Sequence, residues 1–119
     1  MSADELARNF YLEKLKFLSS CFEEQPAHPS AVNAKIKALL LNDAQAAQLK
    51  EVIDMLLDDV FYTILLGLDG ECAIGSVQQT YKIYDEQSRL ISDCGELEVS
   101  AGKYFNERKY EKEMDESRE

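Results

Sequence analysis

The chain has 119 residues and a mass of 13.5 kDa, enough for one domain and too short for two. Apolar residues make up 45% and charged residues 30%, values that exclude wholesale disorder and let a core form without disulfides or metal. Thirteen basic against 23 acidic side chains leave a net charge of −10, which excludes a nucleic-acid binder working by phosphate neutralisation, and a single histidine excludes a histidine-rich metal site.

The segment Met1–Glu5 is acidic and polar and has neither the basic start nor the apolar run of a signal peptide. Residues 3–24 carry the pattern of a helix, with Ala7, Phe10, Tyr11, Leu15, Phe17, Leu18, Cys21 and Phe22 within half of the wheel. Lys14 falls inside that apolar arc. The first expectation is a stem lying along the core edge with its ammonium snorkelling outward, the second a pairing with a carboxylate of another element or a contact with a partner. Pro26 and Pro29 end the pattern. Ser30 fits the N-cap of a second helix running to about Leu41 and burying Val32, Ile36, Leu39 and Leu40. A third helix is expected from Ala44 to about Leu66, with Leu49, Ile53, Leu56, Leu57, Val60, Phe61 and Ile64 forming one apolar stripe. The apolar run Val60–Leu68 is half a membrane span and predicts a buried helix end.

Asp69-Gly70 is a turn signal, and from Val77 the period changes to two. Residues 77–84 and 89–92, joined by the loop 85–88, predict a β-hairpin that must lie against the helices to be stable. Residues 71–74 offer a third short strand, with Gly75 as a bend. Asp93 and Glu96 have the spacing of a capping box for a final helix whose apolar edge is Leu97, Ala101, Tyr104 and Phe105. The expected fold class is α+β and helix-dominant: three N-terminal helices, a hairpin and one C-terminal helix in a single domain over 1–108. Residues 109–119 form a charged tail, either a helix extension or frayed.

Acid is concentrated between residues 50 and 71, where Glu51, Asp54, Asp58, Asp59, Asp69 and Glu71 meet only Lys50. Glu51, Asp54 and Asp58 align on the third helix opposite its apolar stripe, with Tyr62 one turn further. This ridge is either a solvated face or a docking surface for a cationic partner, made of Glu51, Asp54, Asp58 and Asp59 with Tyr62 as anchor. A second candidate surface is the hairpin: Gln78, Thr80, Lys82 and Tyr84 with Asp85 and Glu86, which could also pair edge to edge in a homodimer.

Enzymatic patterns are weak. The segment 68–75 lacks the ligand spacing of a calcium loop and the lysine of a phosphate loop. His28 lies between two prolines, away from any cysteine-pairing pattern, and the serines show no nucleophile elbow. No catalytic residue, metal ligand or cofactor is expected. Cys21, Cys72 and Cys94, odd in number and without metal spacing, read as reduced thiols and point to the cytoplasm. The leading expectation is a small acidic, non-enzymatic binding protein that captures a basic protein partner. By analogy of size and charge it would work as immunity proteins and other acidic inhibitors of basic toxins do. The alternative is an obligate homo-oligomer with a structural or regulatory role, suggested by five Phe, six Tyr and the wide apolar arc of the first helix. A small carboxylate-based hydrolase ranks third. Neither nucleic acid nor membrane is an expected partner.

Overall fold

The computed structural model describes residues 1–93 and 95–118. Ser2 opens α1 (Ala3–Phe22) with a capping box: its hydroxyl accepts the Glu5 N–H at 3.1 Å, and the Glu5 carboxylate accepts the Ser2 N–H at 3.3 Å. Ser30 caps α2 (Ala31–Ala38) by accepting the Asn33 N–H at 3.0 Å. Asn42 and Gln45 form a second capping box at the head of α3 (Asp43–Leu68), whose 26 residues make it the longest element. A short antiparallel hairpin follows, β1 (Ile83–Tyr84) with β2 (Leu90–Ser92), paired through Ile83 to Ser92 and Tyr84 to Leu90 with a bulge between the pairs. The short α4 (Glu96–Ala101) continues into a π-helical turn (Gly102–Asn106), and α5 (Lys109–Arg118) ends the described chain. Among the described residues, no helix is long and apolar enough to cross a membrane.

The core is an aromatic cluster at one end of the molecule. Tyr11 is fully buried, with ring centroids 5.1 Å from Phe105, 6.1 Å from Tyr110 and 6.4 Å from Tyr104. Phe61 extends the cluster, edge-on to Phe10 at 6.0 Å and stacked on Phe105 at 6.2 Å. Ala3, Ala7 and Ala101 are buried where α1 crosses α4, and their small side chains let the two helices approach. Leu65 and Leu97 complete the packing.

The other end of the molecule is organised by polar groups. The prolines leave the last carbonyls of α1 without helical partners. Asn33 supplies one: its buried side-chain amide donates to the carbonyls of Ser20, Cys21 and Glu23 at 3.0, 3.2 and 3.0 Å. Lys37 adds a hydrogen bond to the Glu24 carbonyl. α2 is thus attached by capping the helix before it. Burial of its apolar residues, expected from the sequence, is largely absent: Val32, Leu39 and Leu40 are exposed and Ile36 is half-buried. Leu40 also takes the left-handed conformation (φ 53°) that closes α2, a place usually given to glycine.

Three other sequence expectations change. The third strand does not form; Ile74 and Val77 make only an isolated bridge around Gly75. Residues 77–82 run as extended chain along the end of α3, tied by Tyr81 N–H to the Leu68 carbonyl at 3.2 Å and Gln78 Nε2 to the Gly70 carbonyl at 2.9 Å. Gly70 has φ 82°, and a Cβ there would stand 2.6 Å from the Thr80 methyl carbon, so the close approach requires glycine. The single C-terminal helix is divided; of the two expectations for 109–119, the helix extension is the one that forms, through residue 118. Cys94 lies outside the described residues; Cys21 and Cys72 are half-buried free thiols.

The capping box expected at Asp93 is not what opens the helix. Glu96 accepts the Asp93 N–H at 3.3 Å, but α4 begins at Glu96 behind Gly95, which offers no side chain. Asp69, buried at the end of α3, supplies the cap from 29 residues away: its Oδ2 accepts the Glu98 N–H at 2.5 Å, with the Leu97 and Gly95 N–H groups also directed at the carboxylate. Burial pushes the Asp69 carboxyl above its ordinary pKa, and these N–H groups hold that rise back. Asp69→Ala should cost about 1–3 kcal/mol in urea unfolding, while Asp69→Asn, which keeps one acceptor, should cost less. Equal losses from the two variants would refute the capping role.

Candidate functional site

The chemistry-bearing residues of α3 do not share one open face. Asp54, Asp58, Phe61 and Leu65 recur at the spacing of a single helical side, and that side turns toward α1 and the core. Asp54 and Asp58 therefore leave the solvent ridge assigned to them from the sequence. Glu51 and Asp59 stay exposed, and Tyr62 is half-buried against the core. The ridge is divided because the wheel places charge opposite apolar residues without showing which side meets the rest of the protein.

Lys14 is the reason for the inversion. It is fully buried, and its ammonium lies 2.8 Å from Asp58 Oδ1 and in contact with Asp54 Oδ1. The same ammonium sits 5.0 Å from the centre of the Tyr11 ring. Of the two sequence expectations for Lys14, pairing with another element is the one realised. The outer carboxylate oxygens meet Arg108, whose Nη2 is 3.5 Å from Asp54 Oδ2 and 3.6 Å from Asp58 Oδ2. Arg108 occupies the left-handed region (φ 58°) at the joint between the π-helical turn and α5, which aims its guanidinium back at α3. Its Nη1 is 3.8 Å from Glu111, and Glu111 accepts the Tyr11 hydroxyl. Two cations and three carboxylates thus join α1, α3 and α5.

The titration of these groups follows from the geometry. Burial alone would raise the Asp54 carboxyl, but the hydrogen bond and charge of Lys14, then Arg108, outweigh it and hold the group below its ordinary 3.8. Burial and the Glu111 carboxylate together push the Tyr11 phenol far above the ordinary tyrosine value. Burial opposes the charge on Arg108, yet Tyr11, Asp54 and Asp58 raise its pKa overall. A second, more exposed group repeats the design. Asp4 accepts the Tyr104 hydroxyl at 2.9 Å and lies 3.6 Å from Lys109, whose ammonium sits 5.1 Å from the centre of the Tyr104 ring.

The hairpin surface is likewise partly occupied by the fold. Gln78 and Thr80 hold the segment against Gly70. Asp85 accepts the N–H groups of Gln87 and Arg89, each at 2.9 Å, and Nε of Arg89 at 2.8 Å, so it builds the turn. Lys82, Tyr84 and Glu86 stay exposed.

The surface given up by the ridge reappears as an apolar one. Val52, Met55 and Leu56, at 60%, 61% and 58% exposure, form the middle of the solvent side of α3. Val60 and Ile64 continue it toward the C-terminus. Beside it an open groove of about 390 Å³ runs between α2 and α3, lined by Val32, Ile36, Leu39, Leu49 and Ile53. Sequence reasoning placed most of these residues in the core. Asn33, Arg108 and Glu111 were missed, since nothing in local periodicity marks a side chain whose partners lie on another element. Among the described residues, no cluster of His, Cys, Asp or Glu has the arrangement of a metal site.

No family model, curated protein or solved structure matches the chain.

Lys14→Met should destabilise the protein by about 3–5 kcal/mol in urea unfolding, because it leaves two partly buried carboxylates facing each other beside a single arginine. A loss below about 1 kcal/mol would refute the clamp. The pH dependence has a defined sign. Asp54 has its folded pKa below its unfolded value, so its contribution is complete above about pH 4 and disappears as pH falls through the depressed folded value. Thermal unfolding of the wild type should therefore lose stability more steeply below pH 4 than that of Asp54→Asn.

Proposed function

We propose that the protein is a non-enzymatic binding protein whose working surface is the apolar side of α3 with the adjoining α2 groove. The observation that carries this reading is the orientation of α3: Asp54 and Asp58 turn inward to Lys14, and Val52, Met55 and Leu56 face outward. Soluble monomers rarely expose large contiguous apolar patches, and patches with a polar rim mark protein contacts. Met and aliphatic residues at the centre with Lys35, Lys50, Glu51 and Asp59 around them have the layout of an interface core and rim. The occupation of Asp54 and Asp58 by Lys14 and Arg108 also weighs against carboxylate catalysis there, since both are committed to internal cations.

Capture of a basic protein is the second reading, supported by the net charge of −10 and by the exposed carboxylates of Glu51 and Asp59. Salt separates the two, because surface ion pairing is screened and apolar contact is not. Protein recovered on the immobilised chain should survive a wash at about 1 M salt, where the Debye length is near 3 Å, and be lost on Leu56→Glu. Reversing Glu51 and Asp59 to lysine should leave it bound. Release of a basic protein by salt, together with loss on that reversal, would move the function to acidic capture.

A further inference from the structure

The occupant of this surface can be named, an inference that rests on the reading above: we infer that α2 and α3 pack against the same face of a second copy of this chain, forming a two-fold dimer. The chain is too open for a finished monomer. A compact protein of this mass exposes about 6,500 Å², whereas this one exposes 8134 Å². Its radius of gyration is 16.7 Å, against about 13.5 Å for a compact chain of this length. The excess of roughly 1,600 Å² is about twice what each partner buries in a standard interface.

The excess has a location. Between Lys14 and Leu65, Asn33 is the one buried residue among the described residues, so the distal part of α1, all of α2 and most of α3 have no apolar core of their own. Leu40, 87% exposed and in the left-handed conformation, belongs to the same region. Such helices complete a core by being doubled.

Charge favours a second copy over a basic stranger. With Asp54 and Asp58 answered internally, the stretch 31–66 carries Lys35, Lys37 and Lys50 against Asp43, Glu51 and Asp59, a balanced set within a chain of charge −10. A neutral, mixed rim around an apolar centre suits its own image across a two-fold axis, where each contact occurs twice with the roles exchanged. A cationic protein would find more unanswered carboxylates elsewhere on the molecule. The centre of the exposed ridge, at Leu56, lies near the axis of such a pair.

The test is sedimentation equilibrium of the full chain at micromolar concentration, with the apolar dye anilinonaphthalene sulfonate as probe of the open face. The wild type should have twice the 13.5 kDa chain mass and bind little dye. Leu56→Glu should keep the helical circular dichroism, since the side chain touches solvent in the monomer, and should weaken dimerisation at least about 30-fold, the size of a hot-spot loss. Leu56→Lys should do the same, and an equimolar mixture of the two variants should recover the dimer. A dimer indifferent to both variants overturns the inference by placing the contact elsewhere. A monomer that binds dye through Leu56 overturns the second copy but keeps the face as a binding surface for another protein. A monomer that binds no dye overturns both.

Discussion

A buried ammonium sets the orientation of the longest helix. Lys14 sits where the first helix would otherwise present an apolar residue to α3, and a charge in that position is tolerable only with carboxylates around it. Asp54 and Asp58, one turn apart, provide them, so α3 must turn that side inward. Everything on the opposite side then follows. Val52, Met55 and Leu56 face solvent because the helix cannot present both sides to α1 at once. The cost of burying one cation is therefore an apolar surface left for something else to cover.

The aromatic cluster and the ion cluster form one structure. Tyr11 lies in both, its ring against Phe105 and under the Lys14 ammonium, its hydroxyl donating to Glu111. Arg108 closes the outer side of the same carboxylates from the joint before α5. A clamp of this kind confers geometric specificity more than net stability, because the desolvation of each ion offsets most of the attraction it gains. The C-terminal helix, which reads as a solvated tail on composition alone, is held by it.

Local signals were legible in the chain and long-range ones were not. The caps at Ser30 and the break at Pro26 are written in neighbouring residues, and α1, α2 and α3 start where those signals place them, within a residue or two. The anomaly at Lys14 was visible too, as a charge inside an apolar arc, but its resolution needed the position of α3. Asn33 and Asp69 carry no such mark. Each caps a helix other than its own, across 10 to 13 residues for Asn33 and 29 for Asp69, and a polar residue at such a distance looks like any solvent-facing one. The alternation over 77–84 is real, yet only its last two residues join the hairpin, because the preceding stretch spends its hydrogen bonds on Ile74 and the end of α3.

The bonds between the two ends of the chain bear on its synthesis. Tyr11 to Glu111 and Asp4 to Tyr104 each span 100 residues, so the first helix receives these partners only after about another hundred residues have been synthesised. Until then Tyr11, Phe10 and Lys14 have at most half of their surroundings, and the nascent chain can form helices but not the core. The aromatic core accordingly closes only once the segment carrying Tyr104, Phe105 and Glu111 has been made, and until then the first helix stays open.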